Sequence, residues 1–240
     1  MPARPVSRFC VDLAAASEIG GKARSLLRLQ EAGLPVPPAF AVTAELFRML
    51  RRGGPPLPRA LGEAGALARV GEAAAALRAA PWPAGFADEL RARVAALPGA
   101  ARLSVRSSAE TEDDPDALGA GLYTSRVNIR PDDLEGALRD VLAAALTPAA
   151  LAYLGARGRS PDELPMAALI HPFIGGTADG IAALDGAPGS PPIIEARGVA
   201  GPVLRDRLTA ALATLVARHG AAEVEWTAAG DAPVFLQLRP

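Results

Sequence analysis

Two carboxylates stand two residues apart near the end of the chain, in the run AEVEW: Glu223 and Glu225. The alternation reads as a strand, so both acids point to one face and Val224 and Trp226 to the other. That spacing puts them roughly 6.5 Å apart. VFLQLRP alternates in the same way, with Gln237 and Arg239 on one face and Val234, Leu236 and Leu238 on the other. Pairing symmetric about the Gly230-Asp231 turn sets Glu225 across from Gln237 and Glu223 across from Arg239. Val224 then meets Leu238, and Trp226 meets Leu236. This register gathers the polar residues on one side. Mg²⁺ takes oxygen ligands, typically one or two carboxylates completed by phosphate oxygens and water. Glu223, Glu225 and Gln237 are therefore candidate metal ligands, and Arg239 carries a guanidinium suited to a phosphate. The same residues would also make a plain solvent-exposed hairpin face with a Glu–Arg cross-strand pair.

A second group lies near the start. In IGGKARSLLRLQEAG a Gly-Gly pair opens a helical stretch. Backbone N–H groups at such a start can approach an anion, and Lys22 adds a point charge for a phosphate. A third candidate is Arg106 in LSVRSS. Strand alternation takes it off the Leu103/Val105 face, into a cleft or toward solvent.

The elements that must position these residues follow from periodicity and turn chemistry. Gly20 to Gly33 reads as a helix with Ala23, Leu26, Leu27 and Gln30 on one face and Gly33 as its C-terminal cap. An extended LPVPPAFAVT follows, and Thr43 is placed to cap the next helix, which carries Leu46, Phe47 and Leu50. Leu61 to Leu97 is helical, broken at Pro81-Trp82-Pro83. Arg102 to Ser107 and Leu122 to Ile129 read as strands around an acidic loop. Pro131 opens a helix that buries Leu134, Leu138, Val141 and Leu142, and Thr147-Pro148 starts another. Strands are expected at Ala167 to His171, Gly180 to Leu184 and Pro192 to Ala196. A helix marked by Leu204, Leu208, Leu212, Leu215 and Val216 stops at Gly220, ahead of the terminal hairpin.

The chain has 240 residues, half of them apolar, and a formal net charge of −1. Such a balance implies no strong field for nucleic acid or anionic membrane, so neither is an expected partner. One cysteine, Cys10, rules out an intrachain disulfide and fits a reducing cytoplasm. The N-terminus lacks the apolar stretch of a signal peptide, and Val141 to Leu154 is too short for a membrane span.

These segments together resemble the ATP-binding domain of the phosphoenolpyruvate synthase and pyruvate phosphate dikinase family. EVEW with FLQLRP is similar to the elements that close that domain. IGGKARSLLRLQEAGLPVPPAFAVT is similar to its opening, and LSVRSSAETEDDPDALGAGLYTSRVNI to its Val-Arg-Ser-Ser strand, acidic loop and Ala-Gly turn. The resemblance implies an α+β, ATP-grasp-like fold of two lobes, about 1–165 and about 166–240, with the nucleotide between them. It implies ATP and Mg²⁺ as cofactors, with Glu223, Glu225 and Gln237 on the metal and Arg239 on phosphate. Lys22 and Arg106 are implied to bind and clamp the phosphates, with backbone donors from Gly119, Ala120 and Gly121 and a hydroxyl from Ser125. Glu110, Glu112, Asp113, Asp114 and Asp116 are read as a solvated acidic loop.

Departures from the family are equally specific. Where the family has a Val-Gln-x-Met strand near the adenine, this chain has MAALIHPFI, and His171 stands for the glutamine. IIEARGVAG resembles a shortened Gly-Leu-Gly-Glu element with Gly201 in place of the acid. The sequence ends at Arg239-Pro240, before the family's phosphohistidine domain and pyruvate-binding barrel. The expected activity is phosphoryl transfer from Mg-ATP to a histidine on a separate protein. A kinase or ligase acting on a small molecule and a non-catalytic nucleotide binder are the alternatives.

Overall fold

The computed structural model describes residues 9–15, 18–109, 122–160 and 166–239. Its described strands form two antiparallel sheets, each in its own compact unit, and the fold is α+β. The first unit runs through Phe173 and leaves out residues 24–38. The second comprises the described residues of 24–38 and 174–239. The boundary read from sequence, near residue 165, precedes the strand Met166–Pro172, which pairs within the first sheet.

The first sheet has the order β1-β2-β5-β3-β4. Its strands are β1 (Cys10–Val11), β2 (Phe40–Val42), β3 (Leu103–Ala109), β4 (Arg126–Ile129) and β5 (Met166–Pro172). β5 is buried along its whole length between β2 and β3. Antiparallel pairing of Val105 with Ile170 and Ser107 with Ala168 puts Leu103, Val105 and Ala109 on the face that enters the core with Ala168 and Ile170. Among the described residues the unit also carries the α-helices α2 (Ala44–Arg51), α3 (Ala66–Ala79), α4 (Phe86–Ala95), α5 (Leu134–Ala143) and α6 (Pro148–Ala156). α5 packs on β3 and β5 through Leu134, Leu138, Val141 and Leu142. Fully burying each leucine contributes about 1.5–3 kcal/mol. Pro131–Ala156 is apolar and long enough to cross a membrane by composition. In the fold it is two helices broken at Thr147-Pro148, whose apolar residues belong to the core. Thr147 Oγ1 accepts from the Ala150 N–H, as an N-cap should. Thr43 sits at the N-cap position of α2 but makes no such bond, which corrects the capping role read from sequence.

The first turn of α1 (Gly20–Glu31) belongs to the first unit and the remainder to the second. Ala23, Leu26 and Leu29 are buried, whereas Gln30 is exposed and Leu27 half-buried. The buried stripe is thus rotated from the expected one. The C-terminus closes as anticipated. Gly33 is left-handed at φ 76°, with Gly33 N–H on Gln30 O and Leu34 N–H on Leu29 O.

The second unit carries the sheet β7-β6-β8-β9, built from β6 (Ala178–Leu184), β7 (Ile193–Gly198), β8 (Ala222–Ala229) and β9 (Ala232–Arg239). Helix α7 (Pro202–His219) packs on β6, β8 and β9. Its buried Leu204, Leu208, Leu212 and Leu215 give the unit a core with Val224, Trp226, Phe235 and Leu238, all buried. Segment 24–38 is tied to β9 by Leu238 N–H on Ser25 Oγ and Phe235 N–H on Pro35 O.

Candidate functional site

In the first unit, the start of α1 is docked on the end of β3. Gly20 is left-handed, and a Cβ there would lie 1.7 Å from the Ser108 carbonyl oxygen. Glycine is required by both conformation and contact. Ser108, fully buried, donates from Oγ to Ile19 O at 2.7 Å and accepts from the Ala23 N–H at 3.1 Å. One donor of the helix N-terminus is thereby satisfied from a strand 85 residues away. Gly20 thus has a packing role that sequence reasoning, which noted only that backbone N–H groups at the Gly-Gly pair can approach an anion, did not give it. The neighbouring Ser107, also fully buried, accepts from Lys22 Nζ at 3.3 Å. Ser107 and Ser108 received no role from sequence. The visible signal was two adjacent hydroxyls inside a strand bounded by apolar residues.

Arg106 is half-buried on β3. Its pairing with Leu169 and that of Ser104 with His171 place Arg106, Ser104 and His171 on one face, away from Leu103 and Val105, as alternation requires. His171 is 3% exposed. Burial lowers its pKa to about 4, opposed by the Pro172 carbonyl and helped by the charge of Arg106. It is therefore neutral at pH 7. Ser125 is half-buried just before β4. Gly119, Ala120, Gly121 and the acidic loop lie outside the described residues.

In the second unit, the hairpin has the expected register at its open end. Glu223 pairs with Arg239, Val224 with Leu238 and Glu225 with Gln237. A bulge then intervenes, and Trp226 pairs with Phe235 instead of Leu236. The extra residue lets two large rings, Trp226 and Phe235, both bury and turns Leu236 to the polar side, where it lines a cavity with Glu225. The polar convergence is retained. Arg239 donates from Nη1 to Glu223 Oε1 at 2.9 Å and from Nη2 to Glu225 Oε1 at 2.6 Å. The Glu225 and Arg239 side chains are 22% and 31% exposed, and Gln237 is buried. This is not a freely solvated face. The adjoining cavity, about 570 Å³, is lined by Asp179, Ile181, Glu195 and Arg197 as well as Glu225.

The donor set suits Mg²⁺. Its three side chains offer only oxygen and nitrogen of carboxylate and carboxamide, on one face. Among the described residues no group of three or more His, Cys, Asp or Glu is placed to hold a metal by itself. Two acids completed by ligand oxygens and water are what a hard cation of this kind uses. A second groove, about 560 Å³, between α4 and the start of α5 contains none of the residues singled out from sequence.

Residues 16–187 match the family model described as pyruvate phosphate dikinase, AMP/ATP-binding domain. The chain belongs to this family. The dikinase-domain match contains Lys22, Arg106, Ser125 and His171, whereas the hairpin acids lie beyond its end. Among curated relatives, the prodigiosin synthesizing transferase PigC of Serratia marcescens is 40% identical over 115 residues, 48% of this chain and 12% of PigC. Phosphoenolpyruvate synthase of Pseudomonas aeruginosa is 35% identical over 152 residues, 56% of this chain and 19% of the synthase. That of Neisseria meningitidis is 33% identical over 175 residues, 65% and 22% respectively. The chain thus spans less than a quarter of the length of these relatives. Among solved structures, D-alanine-D-alanine ligase of Helicobacter pylori aligns over 93% of this chain and 54% of the ligase, at 10% identity and a TM-score of 0.46.

Proposed function

We propose that this dikinase-family domain binds Mg-ATP and passes a phosphoryl group from it to a histidine on a separate protein. The observation that carries the reading is the convergence of Glu223, Glu225, Gln237 and Arg239 on one face of the β8–β9 hairpin. Phosphoryl transfer asks little covalent chemistry of the protein. It needs charge neutralisation and alignment. Glu223, Glu225 and Gln237 would hold Mg²⁺, which when bound supplies charge neutralisation at the phosphate oxygens. Lys22, steadied by Ser107, and Arg106 would offset phosphate charge in the first unit. The Gly119–Gly121 amides and Ser125 belong to the same reading as further phosphate donors, and His171 as a contact to the nucleotide.

In this reading the Arg239 guanidinium has two uses. Without nucleotide it neutralises both acids. With Mg-ATP bound, Glu223 and Glu225 would be neutralised as metal ligands and Arg239 would be free to turn to phosphate. A cytoplasmic setting accords with the one cysteine, Cys10, which is buried and whose thiol is pushed far above its usual range by burial and by Glu89.

A small-molecule acceptor is the second reading. The similarity to PigC, named as a synthesizing transferase, favours it. Incubation with Mg-ATP and candidate acceptors, with AMP and ADP resolved by chromatography, tests both. Nucleotide turnover stimulated by a phosphohistidine-domain protein supports the first reading, and stimulation by a small molecule alone supports the second. No turnover with any acceptor argues for a nucleotide binder without transfer activity.

A further inference from the structure

Strand β7 is an edge of the second unit's sheet. Among the described strands only β6 lies beside it, so the N–H and C=O groups on its other side have no ladder to join. Proline and lysine are common guards of such an edge. Here Pro191 and Pro192 stand before the strand, and the charges within it are Glu195 and Arg197, both exposed. Ile193 opens the strand at 64% exposure, and Val199 follows its last residue at 87%. The edge is therefore apolar at each end and carries one charge of each sign near its middle.

We propose that β7 pairs antiparallel with β7 of a second copy of this chain, about a two-fold axis at Ala196. Outward backbone groups come from alternate residues of an antiparallel edge. Two copies of one edge must then pair about a residue that faces its own counterpart. Centring on Glu195 or Arg197 sets like charges opposite, which destabilises the pair. Centring on Ile194 sets Ile193 against Glu195 and Arg197 against Pro191. Centring on Ala196 sets Glu195 against Arg197 twice, once on each side of the axis, as an isologous contact requires. The Arg197 guanidinium already donates to Asp179 of its own chain, and its five N–H groups allow a second acceptor. Gly198, left-handed at φ 85°, ends the extended run, so Val199 lies just past the ladder, next to Ile193 of the second copy. The pairing also reaches the face of the hairpin acids. Gln237, Glu225, Ile181 and Glu195 form one row across the sheet, and Arg197 of the second copy would extend it.

Sedimentation velocity on the whole chain, from about 1 to about 300 μM, reads the association. A single strand pair is a small interface, so the dimer should dissociate with a constant on the order of 1–100 μM. Glu195→Arg and Arg197→Glu should each weaken self-association at least roughly tenfold, because both cross-strand pairs become like-charged. Mixing the two variants makes both pairs opposite-charged again. They should form a mixed dimer to within about threefold of the unsubstituted affinity. Thermal melts establish that each variant is folded. Should Arg197→Glu not fold, Glu195→Arg alone still decides, since it leaves the Arg197–Asp179 bond in place. An unsubstituted chain that stays monomeric throughout would overturn the proposal, and would leave the edge to a strand from another protein. A dimer that survives Glu195→Arg would overturn it too, as would folded variants that do not associate with each other.

Discussion

Replacing Gly20 with alanine probes the contact that sets Lys22. Two costs are separable. The left-handed conformation, φ 73°, destabilises a Cβ-bearing residue by about 1–2 kcal/mol. The contact adds more. The new Cβ would sit 1.7 Å from the Ser108 carbonyl oxygen, against 3.4 Å for ordinary contact, so the start of α1 must withdraw from β3. That movement breaks the two Ser108 bonds, to Ile19 O and from Ala23 N–H. Losing both inside the core costs on the order of 2–4 kcal/mol. The sum is about 3–6 kcal/mol, or roughly 6–24 °C in Tm for a unit of this size. Gly33→Ala is the control. Gly33 has nearly the same φ, 76°, but a Cβ there would meet nothing within 4 Å, so only the conformational cost of about 1–2 kcal/mol applies. Denaturant unfolding and nucleotide titration of both variants form the assay. Gly20→Ala should lose at least about 2 kcal/mol more than Gly33→Ala, and it alone should weaken ATP binding. Equal stability losses would refute the claim that the Gly20–Ser108 contact holds the helix start.

Ser108→Ala should destabilise by about 1–3 kcal/mol, because Ile19 O and Ala23 N–H lose their buried partner, measurable by urea unfolding. Lys22→Ala and Arg239→Ala should slow phosphoryl transfer at least roughly tenfold with little change in Tm. Folded protein with full activity would make both residues structural. His171 is depressed to about 4 in the folded state, below its ordinary value near 6.5. As pH falls through that window the unfolded chain binds a proton that the folded one refuses, so stability is full above about 6.5 and is lost down to about 4. The loss from this residue is on the order of 3 kcal/mol, and chemical unfolding at pH 7 and pH 4 should show it shrink in His171→Gln.

Much of the hairpin was legible because strict alternation leaves one register that sorts polar from apolar residues. It failed at Trp226 because Phe235 and Leu236 are both apolar, and pattern alone cannot say which of them buries. The same ambiguity rotated α1. With Leu26, Leu27 and Leu29 all present, two stripes fit the periodicity, and packing chose the one with Leu29. β4 begins at Arg126, later than the run from Leu122 implied. The Ser107–Lys22 and Ser108–Gly20 contacts were invisible for a different reason. They join residues some 85 positions apart, and nothing local in either segment announces the other. Arg106, by contrast, needed only its own strand's alternation to be placed off the core face.

Calorimetric titration of the chain with ATP, in the presence and absence of Mg²⁺, tests the central claim most directly. Without the cation, Glu223 and Glu225 add negative charge beside a polyanion and hold Arg239 to themselves. In the proposed reading, the acids would serve as ligands once the cation is present, and the guanidinium would be free to turn to phosphate. ATP should therefore bind at least roughly tenfold more tightly with Mg²⁺, and Glu225→Gln should erase most of that difference. Absence of ATP binding in both conditions would contradict the account.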